Sequence, residues 1–283
     1  MKLLLKAIAL LFTRGPIALA SKAADYYQNN RKIRVRLNKH FTPRSLTTRK
    51  TAKRQRETRF SRDVKISILL HNPAAPLTCP DAYTATAHNP ATHSTTETIG
   101  SVLHQTYQNW ELCIADSNIE PRMATGDFIA ILENGDFLHP YALFEAAKAI
   151  NEQDADFIYT DENMFTVNPS DARTPHYKPD YSPDNLRATN YIGRLIVFKA
   201  ALLEKAGLNM DSLDGCLYHD TVLRLTEQAG NIVHIPKALY YARAREQAAI
   251  TPCDAQKESE AGRNAVNEHL SRVGLKGQAE KYM

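Results

Sequence analysis

A chain of 283 residues suits one large domain with an appendage, or two small domains. Its 43% hydrophobic and 23% charged residues support a packed core and set aside the disordered, fibrous and collagen-like classes. The formal charge of +4 averages two unlike parts: residues 1–62 hold 17 Lys+Arg against two acids, Asp25 and Glu57, for a net +15, while the rest is net −11.

Such a split marks an interaction arm, residues 1–62, attached to a folded body, residues 63–283. Leu3–Phe12 is apolar, but Lys6 breaks it and it is too short to span a bilayer. Leu4, Ile8, Leu11 and Phe12 share one helical face, and Lys2, Lys6 and Arg14 complete a basic amphipathic helix suited to an anionic membrane surface. Ala18-Leu19-Ala20 also reads as a signal-peptide cleavage site, which Lys6 and the basic sequence beyond it oppose. RKIRVR at 31–36 and RKTAKRQRETR at 49–59 add further cations, each worth roughly 1 kcal/mol beside acidic lipid. A solvated tail without a partner is the plainer alternative; nucleic acid is a weaker one, since no RNA-binding motif is present. Cys79, Cys113, Cys216 and Cys253 form no CxxC pair and no zinc-ligand spacing, and read as reduced thiols. The expected location is the cytoplasm, peripheral on the inner face of the cell membrane.

In the body, Val64–Leu70 is a short β-branched apolar run, expected to be a buried strand. Residues 72–95 lack any period and read as loop. A helix is expected over 96–105, strands at 110–115 and 128–132, and a helix over 140–151 with Pro140 near its start. A strand follows at 157–160, then helices near 200–207 and 218–229, a strand at 232–236, and a long helix near 256–273. Strands alternating with helices predict an α/β fold with a mainly parallel sheet flanked by helices. In such sheets ligands bind outside the carboxyl ends of the strands. Three expected strand ends carry acids: Asp116, the Glu133/Asp136 pair, and Asp161 with Glu162. Turn and cap chemistry explains one acid easily. Three in succession favour a cleft that binds a cation or a sugar.

Several segments resemble a known family in the right order. They are SVLHQTYQNWELCIAD at 101–116, ATGDFIA at 124–130, DFIYTDE at 156–162, YKPDYSPD at 177–184, NYI at 190–192, IVHIPKALY at 232–240, Ala261-Gly262-Arg263 and Glu268–Arg272. Over about 64–274 the chain is similar to the family-2 inverting, nucleotide-sugar-dependent glycosyltransferases of bacterial cell-surface polysaccharide synthesis. The resemblance implies a GT-A-like mixed fold, a nucleotide-sugar donor, a divalent metal (Mn²⁺ or Mg²⁺), and a saccharide or lipid-linked acceptor. On the matching positions, Glu133 and Asp136 would hold the metal, while Asn72, Asp116, Asp161 and Glu162 would line the donor pocket.

The catalytic positions depart from the family pattern. Inverting transfer needs a cation at the diphosphate leaving group and a base for the acceptor hydroxyl. The second acid of the family's Asp-x-Asp falls on Gly135; Glu133 and Asp136 remain as hard-oxygen ligands, and Asn134-Gly135 is equally a good tight-turn pair. The family's base falls on Tyr218, a phenol with a pKa near 10 and a poor base. His219 and Asp220 adjoin it and become the candidates. The late histidine of the family falls on Tyr241, and the second acid after the strand at 110–115 falls on Ser117. One αβ unit near 118–124, ~20–30 residues by usual element lengths, is missing relative to the family. Two readings stay open: a transferase with a remodelled site, or a catalytically degenerate relative that binds a partner or a membrane surface or is the product of a decaying gene.

Overall fold

The computed structural model describes residues 48–71, 90–114, 124–166, 169, 172, 174–208, 218–244 and 252–280. Its centre is β1 (Ile66–His71), largely apolar and paired in parallel with β2 (Trp110–Ile114) on one side and β3 (Phe128–Glu133) on the other. Such a run is what a strand covered on both faces requires. Beyond β3 the direction changes. β7 (Ile196–Lys199) is antiparallel to β3 and to β5 (Phe157–Phe165), and β5 runs parallel to β8 (Ile232–Arg243). The short β4 (Phe137–Leu138) closes the edge against β8, and β6 (Thr174–His176) pairs with β5. The order is β2-β1-β3-β7-β5-β8-β4, so the sheet is mixed, with its longest ladders parallel.

Helices cover both faces. On one, Ile66, Ile68 and Leu70 of β1 and Phe128, Ala130 and Leu132 of β3 pack on α2 (Pro90–Leu103) and α3 (Ala142–Gln153). The α3 stripe Leu143, Ala146, Ala147 and Ile150 has the spacing of one helical face, and all four are buried. On the other face, Ile129, Ile131, Phe157, Tyr159 and Phe198 pack on α4 (Pro183–Ala188), α5 (Ala201–Lys205), α6 (Tyr218–Gln228) and α7 (Pro252–Arg272). Burying a side chain such as Leu or Phe contributes about 1.5–3 kcal/mol, so these layers dominate the fold's stability.

Several boundaries differ from those the sequence predicts. The helix expected at 96–105 starts at Pro90, because proline is well placed in a first turn, where its missing N–H costs nothing. The strand expected at 157–160 continues through Asp161 and Glu162 to Phe165, so these acids lie within a strand and not after it. The strand expected at 232–236 runs through Pro236 to Arg243. The β5–β8 register shifts at Thr160/Asp161 and again at Asp161/Glu162, where Thr160 faces Ile235 but Asp161 faces Ala238. Pro236 has no N–H for the ladder, and a bulge absorbs it.

The described part of the basic arm begins with α1 (Arg49–Glu57), whose Thr48 side chain caps Thr51 N–H. Gln55 turns inward to accept a hydrogen bond from Thr106 Oγ1 at 2.9 Å, and Phe60 packs against Tyr107 and Phe144. Arg49, Lys50, Lys53, Arg54, Arg56 and Arg59 stay exposed. The amphipathic segment around Leu4–Phe12 lies outside the described residues, as do Cys79 and Cys216. Among the described residues, no helix is long and apolar enough to cross a membrane. β2 and β3 flank β1 in the sheet and are separated by residues 115–127 in the sequence.

Candidate functional site

The carboxyl end of β3 turns sharply into β4. Asp136 N–H donates to Glu133 O at 3.2 Å, and Gly135 takes φ 97°, a conformation that favours glycine. Asn134-Gly135 is thus the tight turn its composition suggests. The turn places the Glu133 and Asp136 carboxylates against one guanidinium: Arg194 NH2 is 3.1 Å from Glu133 Oε2, and Arg194 Nε is 3.5 Å from Asp136 Oδ2. Asp136 also accepts from Tyr240 O–H at 2.8 Å and from Arg243 N–H at 2.8 Å. Arg243 in turn donates to Gly135 O, pairs with Glu97 at 2.9 Å, and lies over the rings of Phe137 and Phe165.

Arg194 is fixed by its backbone as well as its side chain. Its N–H donates to Glu162 Oε2 at 3.1 Å, and its carbonyl accepts from Lys178 Nζ at 3.1 Å. On either side, Gly193 and Leu195 take φ 54° and 51°. A Cβ on Gly193 would lie 3.3 Å from Glu162 Oε2, so the turn also needs the missing side chain. A non-glycine residue in this region, Leu195, is a strained conformation of the kind that gathers at functional sites.

Behind this turn sits a buried ion pair. The Lys178 side chain is fully enclosed and donates to Glu162 Oε2 at 3.2 Å, to Ile192 O at 2.5 Å and to Arg194 O. Three acceptors match the three donors of an ammonium. His176 Nδ1 lies 3.2 Å from the other oxygen, Glu162 Oε1. Burial works against the Glu162 carboxylate, yet Lys178, His176 and the Arg194 N–H together hold it below the usual range. For Lys178 burial wins, and its pKa is lowered despite Glu162. Asp161 belongs to an adjoining group: its Oδ1 accepts from Lys178 N–H at 2.9 Å and lies 2.9 Å from His234 Nε2. His234 stacks on Tyr159 and reaches Asp180 on its other nitrogen at 3.1 Å.

The structure therefore joins Glu133, Asp136, Asp161 and Glu162 through Arg194 and Lys178. Sequence reasoning missed both cations, although Lys178 lies in the family-like segment YKPDYSPD and Arg194 follows two residues after NYI. Asn72 and Asp116 lie outside the described residues. The proposed catalytic pair stands elsewhere, in the first turn of α6. Asp220 Oδ2 is 2.6 Å from Arg224 Nε and its Oδ1 is 3.4 Å from Arg272 NH2, within the α6–α7 network that also holds Glu227, Glu268 and His269. His219 Nε2 is 2.7 Å from Leu186 O, so this nitrogen carries the proton and Nδ1 is the basic position. Burial lowers the His219 pKa, which keeps the ring neutral at neutral pH. The Tyr241 ring, on the position of the family's late histidine, stacks on His139.

Glu133 and Asp136 as placed do not fit a divalent metal, contrary to the expectation for these residues. A hard dication wants about six oxygens at ~2.0–2.6 Å, but Arg194 stands between the two carboxylates, and both Asp136 oxygens are already taken up by hydrogen bonds. A dication ~4 Å from that guanidinium would be repelled by about 8 kcal/mol at an effective dielectric of about 20. Among the described residues, no group of three or more His, Cys, Asp or Glu is placed to hold a metal ion. Burial opposes the charge of Arg194, but Glu133 and Asp136 outweigh it and raise its pKa. For Asp136 burial wins, and its carboxyl is pushed up to about 6.

No family model matches the chain. Among curated proteins it is 34% identical over 226 residues to an uncharacterized protein of Sinorhizobium fredii, covering 66% of this chain and 25% of that protein. It is 30% identical over 216 residues to the O-antigen biosynthesis protein RfbC of Myxococcus xanthus, covering 63% of this chain and 17% of that protein. The chain thus spans a quarter or less of the length of these relatives. Among solved structures it is similar to S. aureus TarS 1-349 in complex with UDP, with TM-score 0.47, 15% identity, and coverage of 73% of this chain and 72% of that one. It is also similar to the mannosyltransferase PcManGT of Pyrobaculum calidifontis in complex with GDP-Man and Mn²⁺, with TM-score 0.44, 13% identity, and coverage of 88% and 77%.

Proposed function

We propose that the chain is a glycosyltransferase-like module of cell-surface polysaccharide synthesis. It moves a sugar from a nucleotide-sugar donor to a saccharide or lipid-linked acceptor. The observation that carries this reading is the gathering of Glu133, Asp136 and Glu162 around Arg194, where β3, β5 and the turn before β7 meet. That is a rigid, charged constellation at the carboxyl end of β3, the side of an α/β sheet where ligands bind. The similarity over 216 residues to an O-antigen biosynthesis protein supports a role in polysaccharide biosynthesis.

Inverting transfer breaks the bond from the sugar's anomeric carbon to the diphosphate, forms a bond to the acceptor oxygen, and passes the acceptor's proton to a base. His219 Nδ1 and Asp220 are the proposed bases. Asp220 must leave Arg224 or Arg272 to take a proton, which favours His219. The same clamp favours a second reading, a nucleotide-sugar-binding relative without turnover.

Residues 1–62 form the proposed membrane-associating arm, which would hold the protein peripherally on the cytoplasmic face; the exposed cations of α1 support it. The test is calorimetric titration with UDP-, GDP- and dTDP-sugars at up to about 1 mM, alongside release of nucleoside diphosphate. Binding with release supports the transferase, binding without release supports the second reading, and no binding refutes both. Anionic vesicles should retain the full chain at low salt and release it at moderate salt; no retention at any salt refutes the arm assignment.

A further inference from the structure

We infer that Arg194 is the resident cation of this site: its guanidinium takes the place of a divalent metal between Glu133 and Asp136 and presents its remaining N–H groups to the phosphates of a nucleotide ligand. The phosphate half rests on the proposed function; the exclusion of metal rests on the geometry alone.

A guanidinium has five N–H donors. One NH2 hydrogen serves Glu133, and Nε faces Asp136. Among the described residues, the NH1 pair and the second NH2 hydrogen meet no acceptor, and they form the planar fork that binds phosphate in a bidentate manner. The side chain keeps 29% of its surface exposed. Its backbone is held at both ends, by Glu162 and by Lys178, within a turn that two left-handed residues define. A donor fixed in this way needs no reorganisation when negative charge develops on a leaving group. The carboxylates then aim and hold the arginine and do not ligate a metal. The Tyr240 hydroxyl and the Arg243 N–H reinforce this role, since they occupy the Asp136 oxygens that a metal would need.

The experiment has two independent arms on the full-length chain. In the first, the free-Mn²⁺ electron paramagnetic resonance signal is followed as Mn²⁺ alone is added to wild type, Arg194→Met and Glu133→Gln. Wild type should leave the signal unchanged relative to Glu133→Gln, while Arg194→Met should bind Mn²⁺. Mn²⁺ binding by wild type that Glu133→Gln abolishes would overturn the inference, and this comparison stands even if Arg194→Met fails to fold. In the second arm, UDP, GDP and dTDP are titrated calorimetrically in EDTA and in Mn²⁺. Affinity should be equal in the two buffers. Arg194→Met should weaken it roughly ten- to a hundredfold in EDTA, the loss of one or two charge-assisted hydrogen bonds. Arg194→Lys should recover little, because an ammonium lacks the fork. Nucleotide binding that requires Mn²⁺ would overturn the inference. If no nucleotide binds in either buffer, the phosphate half falls with the proposed function, while the Mn²⁺ arm still decides which cation holds the site.

Discussion

Replacing Asp136 by Asn is expected to change how stability depends on pH, with a sign opposite to that of ordinary acid denaturation. Burial pushes the Asp136 carboxyl from 3.8 up to about 6, and Arg194 and the Arg243 N–H offset only part of this. Between those values the folded chain keeps a proton that the unfolded chain has released. The group's contribution to stability therefore falls as pH rises through this window. At ~1.4 kcal/mol per pH unit the rise corresponds to about 3 kcal/mol. Asn has no proton to lose, and its amide oxygen still accepts from Arg243 N–H or Tyr240 O–H. The stability of Asp136→Asn minus that of wild type should thus grow by about 2 kcal/mol from about pH 4 to about pH 7. Urea unfolding followed by circular dichroism gives both curves, and the difference cancels the groups the two proteins share. A difference that is flat with pH, or that shrinks as pH rises, would refute the assignment of Asp136 as a buried carboxylate under net desolvation.

Three further outcomes follow from named contacts. Lys178→Met leaves Glu162 without its buried cation and two carbonyls without a donor, so urea unfolding should show a loss of about 3–5 kcal/mol; a loss below about 1 kcal/mol would contradict the buried pair. Gly126→Ala puts a Cβ 2.6 Å from Ser67 Oγ and 2.7 Å from two backbone atoms of residues 65 and 67, so it should cost about 1–3 kcal/mol. Adding Ser67→Ala should not restore it, because the backbone atoms remain in the way. Burial opposes the Glu111 carboxylate, but hydrogen bonds from Lys65, Ser67 and Thr125 bring it from 4.5 down to about 2. The stability it contributes, about 3 kcal/mol, is fully present above pH 4.5 and is lost as pH falls through about 2. The gap in unfolding free energy between wild type and Glu111→Gln should therefore close on acidification, and an unchanged gap at low pH would refute the hydrogen-bonded assignment.

The elements legible in the sequence are those in which local pattern and burial agree. Ile68–Leu70 and Phe128–Leu132 are continuous apolar runs, and Leu143, Ala146, Ala147 and Ile150 share a helical face. The elements that were not legible have their cause in tertiary pairing. Asp161, Glu162 and Asn163 read as loop residues, yet the long ladder with β8 carries them as strand. Pro236 reads as a stop, but a bulge accommodates it. The two residues of β4 are too few for any period, and β6 is exposed throughout. Ile196–Phe198 was legible in principle, since it is a β-branched apolar run. In the site, acids at strand ends are a sequence signal, and Glu133, Asp136, Asp161 and Glu162 were found that way. Arg194 and Lys178 carry no such signal, because a basic residue in a loop is usually solvated. Only the three-dimensional turn around Gly193 and Leu195 shows Arg194 pointing at acids some sixty residues away in sequence.

The charge balance of the cleft separates two electrostatic roles that the composition alone merges. Glu133, Asp136, Glu162 and Glu97 stand against Arg194, Lys178 and Arg243, four acids to three cations, so the site carries no net positive charge before any ligand arrives. Such a cleft has no long-range field with which to draw in an anion. Affinity for a diphosphate would then come from short, directed N–H donors whose positions the fold has already fixed, and it would depend weakly on ionic strength. The +15 of residues 1–62 is the reverse case: many charges of one sign, whose attraction to an anionic surface falls off within a Debye length of about 8 Å at physiological salt. The two can be told apart by salt, because raising it should detach the arm from an anionic surface well before it disturbs binding at Arg194.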